Sequence, residues 1–117
     1  FLAAGALLIG GIGSVDAANW YTVGTDSNGV TWSIDNDSVK KDDKKAVMDI
    51  KAMDYEGYHY IVTEEFNHKK REVKDLKVTL YNPQGYVVKE EQVNKNSRKV
   101  EPGTPAYAVF QLIWGGK

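Results

Sequence analysis

His59 and His68 are the only imidazoles in the chain, and it contains no cysteine. The lack of thiols excludes disulfide frameworks, thiolate zinc sites and cysteine nucleophiles. A catalytic histidine needs a nucleophile or an orienting carboxylate within hydrogen-bond reach. No spacing here signals one, and no Gly-x-Ser-x-Gly elbow exists, so both histidines read as solvent-facing strand and loop residues. Acidic clusters raise calcium as a possibility. Asp35-Asn36-Asp37 begins like an EF-hand loop, but Val39, Lys40 and Ala46 stand where that loop needs a ligand oxygen, a glycine and a glutamate. Asp26-Ser27-Asn28-Gly29 fails in the same way, with Val30 at a ligand position. Asn36-Asp37-Ser38 is a formal glycosylation sequon, meaningful only in a eukaryotic secretory pathway. No metal, no cofactor and no enzymatic activity are expected.

Binding chemistry has more support. His68-Lys69-Lys70-Arg71 is the sole basic run, and its ammonium and guanidinium groups suit acidic polysaccharide, anionic protein or lipid headgroups. The competing reading is a solvated connector neutralised by Glu64, Glu65 and Glu72. Tyr55, Tyr58 and Tyr60 flank the Glu56-Gly57 turn. Facing outward, they would form a rigid amphipathic contact patch; a core role for part of the trio is the competing reading. Lys69, Lys70, Arg71, Tyr55, Tyr58 and Tyr60 are therefore the candidate ligand contacts. The alternation of Asp35, Asp37, Asp42 and Asp43 with Lys40, Lys41, Lys44 and Lys45 reads as a self-neutralising loop.

Elements must position these residues. Trp20–Thr25 is aromatic and β-branched, Asp26–Gly29 is a tight turn, and Val30–Ile34 alternates apolar with polar, which together predict a hairpin. Asp35–Lys45 is a polar loop with room for one helical turn. Ala46–Tyr55 alternates from Met48, with Asp49, Lys51 and Asp54 toward solvent. Glu56-Gly57 then turns the chain into a long strand over Tyr58–Phe66. After the basic connector, Val73–Tyr81 alternates with Leu76, Val78 and Leu80 inward. Asn82-Pro83-Gln84-Gly85 is a strong turn into Tyr86–Val93, and Asn94–Val100 is a polar loop. Thr104 suits an N-cap, Pro105 the first helical position and Gly115 a helix end. The apolar segment between them predicts a short helix packed on the sheet, a final strand being the alternative. The fold class is α+β: about six antiparallel strands in hairpins with one C-terminal helix.

Residues 1–17 read as a secretory signal peptide, with an uncharged Leu/Ile/Ala/Gly run and a small-residue cleavage site ending at Ala17. The run from Phe1 to Val15 is shorter than the roughly 20 residues a membrane span needs, so no transmembrane span is expected after cleavage. One acid, Asp16, leaves with the leader. Of 16 acidic and 15 basic residues in the 117-residue chain, 15 of each remain over residues 18–117, a single β-rich domain. That neutral balance argues against a nucleic-acid binder.

The order of features resembles the surface-adhesin protein E family of Gram-negative bacteria. The resemblance rests on Trp20-Tyr21, on Ile34-Asp35 with Ser38-Val39, on Tyr81-Asn82-Pro83-Gln84-Gly85, and on Glu101-Pro102-Gly103-Thr104. It covers nearly all of residues 18–117, although many members carry a cysteine pair that is missing here. It implies an exported domain of the periplasm, cell surface or outer membrane, an antiparallel sheet with a C-terminal helix, and, for some members, binding of host extracellular-matrix proteins. The functional expectation is a non-catalytic adhesion or binding protein. The alternative is a periplasmic structural or assembly factor that pairs through a sheet edge, for instance as a homodimer.

Overall fold

Three turns of one design organise the chain. Asp26, Asp54 and Asn82 each open a turn that closes on Gly29, Gly57 or Gly85, whose φ values are 81°, 97° and 90°. The carbonyl of each opening residue accepts from the glycine amide at 2.9–3.1 Å. Its side-chain oxygen accepts from the amides two and four residues on: Asn28 and Val30, Glu56 and Tyr58, Gln84 and Tyr86. A short oxygen-bearing side chain thus satisfies the loop amides, and glycine supplies the left-handed corner.

A computed structural model describes residues 18–93 and 96–115; the leader expected at residues 1–17 lies outside them. The strands are β1 (Trp20–Thr25), β2 (Thr31–Asp35), β3 (Lys40–Lys41), β4 (Lys45–Met53), β5 (His59–Asn67), β6 (Glu72–Tyr81), β7 (Val87–Gln92) and β8 (Arg98–Lys99), followed by helix α1 (Pro105–Trp114). All pair antiparallel in one sheet of order β1-β2-β4-β5-β6-β7. Two-residue β3 pairs with β4 beyond β2, and β8 pairs with β6 beyond β7. Six strand positions therefore span the sheet, and two short segments extend them. Lys40-Lys41 and Arg98-Lys99 show no apolar alternation, so nothing local marked them as strands. The helical turn allowed for in the first polar loop is a 3-10 turn at Asn36–Ser38, capped by the Asp35 carboxylate accepting from the Asp37 amide at 3.0 Å.

One face of the sheet carries the core. Ile34, Met48, Ile50, Phe66 and Val73 are buried there beneath Val109, Phe110 and Ile113 of α1. The helix, rather than a last strand, forms because its ends are satisfied. Thr104 Oγ1 accepts from the Tyr107 amide at 3.2 Å, and Gly115, at φ 68°, donates to the Gln111 carbonyl at 2.7 Å. Spacing of i, i+1 and i+4 puts the three buried side chains on one stripe.

The alternation expected in β6 is interrupted. Glu64 pairs with Asp75 but Thr63 pairs with Lys77, so Leu76 is a bulge residue. Val78 and Leu80 keep the helix-side face opposite Val62 and Tyr60, whereas Leu76, expected inward with them, has no partner on β5. A bulge adds one residue and reverses the period-two pattern beyond it.

Candidate binding surfaces

The six residues singled out from sequence do not form one patch. The Tyr55–Tyr58 turn and the Lys69–Arg71 turn lie at opposite ends of β5, a nine-residue strand about 30 Å long. Tyr60 sits between them on the helix-side face, 48% exposed and paired with Ala52 and Leu80.

At the β5–β6 end the structure gathers more positive charge than the sequence run alone. The His68 amide donates to the Lys44 carbonyl and His68 Nδ1 donates to the Asp43 carbonyl, both at 2.9 Å. These bonds lay the Asp42–Lys45 turn beside Lys69 and Lys70. Lys99 Nζ donates to the Lys70 carbonyl at 3.1 Å. Lys44, Lys69, Lys70 and Lys99 are exposed, and neither Lys69 nor Lys70 forms a salt bridge with a described residue. Arg71 is a different case. It holds a φ of 53°, its carbonyl accepts from the Val100 amide, and its guanidinium lies 5.5 Å from the centre of the Phe110 ring. It supports the helix as well as adding charge.

His68 is not a solvent-facing loop residue. Its ring stacks on Trp114, with centroids 4.3 Å apart and planes 2° from parallel, and Trp114 Nε1 donates to the Asp42 carbonyl. The imidazole thus pins the end of α1 to the basic loops.

The three glycine turns share the other end, because β2, β4 and β6 pair there with their hairpin partners in alternating direction. Tyr55 and Tyr86 are 85% and 71% exposed, and Tyr58 is 44% exposed. Tyr86 joins the predicted pair only because the third turn folds alongside the second; a Cβ on Gly57 would lie 3.1 Å from Pro83.

The sheet face away from α1 holds a cleft of about 580 Å³. Register builds its floor in rows: Asp49, Thr63 and Lys77; Lys51, Ile61 and Thr79; then His59 and Tyr81. Trp20, at the start of β1, closes one side, with Lys51 Nζ 4.5 Å from its ring centre. His59 stacks on Tyr81 at 5.0 Å with planes 9° apart, so it is a wall of the cleft and not the solvent-facing residue expected. Its Nδ1 lies 3.0 Å from the Gly57 carbonyl. A carbonyl only accepts, so Nδ1 carries the proton and Nε2 is the acceptor of the neutral ring. Thr63 Oγ1 donates to Asp49 Oδ1 at 2.7 Å. Lys51 is half-buried, and desolvation pulls its ammonium below the usual lysine range. Asp49 and Lys51, read from sequence as simply solvent-facing, line this cleft together with Asp35, whose Oδ1 accepts from the Asn19 and Asp37 amides at 3.0 Å each. The signal available was Ile61 and His59 recurring at period two on the face opposite Met48 and Ile50.

A second polar cluster lies on the helix side. Glu64 Oε2 and Asp75 Oδ1 share Arg98, at 3.1 Å and 3.2 Å. Burial and the neighbouring Asp75 carboxyl push Glu64 up to about 8, outweighing the attraction of Arg98. Among the described residues, no group of three or more His, Asp and Glu is placed to hold a metal ion.

The family model for surface-adhesin protein E matches residues 20–113, from the first residue of β1 to the last turn of α1. The chain belongs to the surface-adhesin protein E family. No curated protein and no solved structure shows significant similarity to it. Membership implies an exported or surface protein with a binding role and not a catalytic one. Among the described residues no helix is long and apolar enough to cross a membrane. For a surface-adhesin domain of this shape, the two sheet ends and the open-face cleft are the surfaces with chemistry to offer.

Proposed function

We propose that the chain is a non-catalytic adhesion domain of the bacterial envelope that holds acidic polysaccharide, or an acidic segment of a host matrix protein, against the basic end of its sheet. The observation that supports this reading is the convergence of Lys44, Lys69, Lys70 and Lys99 on one exposed end, with Lys69 and Lys70 left without carboxylate partners among the described residues. Exposed ammonium groups held by strand ends offer a dense charge at little conformational cost, and their attraction is screened by salt. Heparin serves as the probe. Binding should weaken steeply between low and physiological salt, and the Lys69→Ala/Lys70→Ala double variant should lose about tenfold in affinity. That pair is preferred to a triple variant because removing Arg71 would also disturb Phe110. Unchanged heparin affinity in the double variant overturns the assignment.

One observation favours the alternative of strand pairing. Edge strand β7 is exposed at all six positions, and Val87 and Val88 are each 56% exposed. An unpaired edge with apolar side chains is a template for a further strand, although Lys89, Glu90 and Glu91 oppose indiscriminate pairing. On this reading the chain is a homodimer through β7, and Val88→Lys converts it to monomer in light scattering. A wild-type protein that is monomeric at high concentration removes the homodimer.

A further inference from the structure

The open face of the sheet carries a second site, chemically unlike the basic end. Its floor sets a half-buried ammonium, Lys51, beside a carboxylate, Asp49, that accepts from Thr63; the second carboxylate of the lining, Asp35, is held by the Asn19 and Asp37 amides. No carboxylate of a described residue lies within 4.0 Å of Lys51; its neighbour is the Trp20 ring. The other lysine of the floor, Lys77, is engaged by Glu90 at 2.9 Å. Across the cleft the stacked rings of His59 and Tyr81 make the opposite wall.

Each component excludes a class of ligand. A dianionic phosphate or sulfate would meet Asp49 and Asp35, and one unpaired ammonium does not offset the repulsion of two negative charges. A purely apolar ligand would strand the Lys51 ammonium and the second oxygen of Asp49 without water, which disfavours it. A ligand that presents one carboxylate, several hydroxyls and an apolar ring face satisfies all of them. Its carboxylate pairs with Lys51, its hydroxyls donate to Asp49 and to Nε2 of His59 and accept from Thr63, and its ring face lies against Trp20 or Tyr81. The volume of about 580 Å³ falls in the range of small-ligand clefts and admits one or two sugar rings.

We infer that this cleft binds an acidic sugar, a pyranose bearing a single carboxylate, between Trp20 and the His59–Tyr81 stack with Lys51 as its charge partner. The site stands apart from the basic end and does not rest on it.

The test is an NMR titration of the full chain with sodium glucuronate, with glucose and sodium chloride as controls. Saturable shifts are expected at the Trp20 indole N–H and at the amides of Asp49, Lys51 and Thr63, and glucose should bind at least about tenfold more weakly. Lys51→Gln should lower glucuronate affinity about tenfold, Lys51→Arg should retain most of it, and Lys69→Ala/Lys70→Ala should leave it unchanged. Heparin binding lost in that double variant with glucuronate binding intact separates the two sites. Methyl β-glucuronide binding as tightly as glucuronate assigns the ligand as the end of a polysaccharide; binding confined to the reducing sugar, with its anomeric hydroxyl free, assigns a free sugar. Equal shifts with glucose, shifts that never saturate, or undiminished binding in a folded Lys51→Gln protein overturn the inference. Should Lys51→Gln fail to fold, the wild-type contrast between glucuronate and glucose decides it.

Discussion

Glu64 makes the folding stability of this domain depend on pH in an unusual direction. Its carboxyl is buried, faces Asp75 across the β5–β6 ladder, and must share one guanidinium with it. Two carboxylates and one partly exposed Arg98 leave a net negative charge with Glu64 out of water, and a proton on Glu64 removes it. The group therefore rises from its ordinary 4.5 to about 8 in the folded chain. The folded state then holds a proton that the unfolded state has released, so stability is greatest below about pH 4.5 and declines as pH rises toward 8. Integrated from pH 5 to pH 7, the loss is about 2–3 kcal/mol, a large share of the 5–15 kcal/mol typical of a domain. Glu64→Gln keeps the shape and cannot ionise. Urea titrations of both proteins at pH 5, 6, 7 and 8 isolate this group, since the other titrating groups are common to both. The variant should gain on the wild type by about 2–3 kcal/mol between pH 5 and pH 7 and little beyond pH 8. In thermal melts this corresponds to about 10–20 °C for a domain of this size. A difference that stays flat with pH, or a wild type that gains on the variant at neutral pH, would show that Arg98 holds Glu64 ionised and would refute the reasoning.

Two further outcomes follow from the packing. Gly57→Ala and Gly85→Ala place an L-residue at nearly the same positive φ, but only at position 57 would the new Cβ meet Pro83, at 3.1 Å. Both should lose about 1–3 kcal/mol in chemical denaturation, with Gly57→Ala the worse of the two; the reverse ranking would deny that the second and third turns pack together. Phe110→Ala removes a fully buried ring that also meets His68, Trp114 and Arg71. A cost of about 3–5 kcal/mol is expected, with the indole fluorescence of Trp114 altered. A near-wild-type melt would mean that α1 does not close the core.

Sequence and tertiary structure contributed different things. The three hairpins and the caps of α1 were legible in the chain because each depends on residues a few positions apart: Asp26 with Gly29, Asn82 with Gly85, Thr104 with Pro105. The amides and carbonyls involved are satisfied within one turn, so the pattern carries the geometry. β3, β8 and the bulge at Leu76 were hidden because the partners that define them, Ala46–Val47, Glu72–Val73 and Thr63–Glu64, lie on other strands. The same limit applies to the sites. A run such as His68–Arg71 shows its charge, but only the pairing of distant segments shows that Lys44 and Lys99 join it, that Tyr55 and Tyr58 stand some 30 Å away, and that His68 is occupied with Trp114. Glu64, Asp75 and Arg98 look like ordinary surface charges until the ladder and β8 bring them together and bury Glu64. Local hydrogen bonding determined the elements, and long-range register decided which side chains share a solvent environment, on which their chemistry depends.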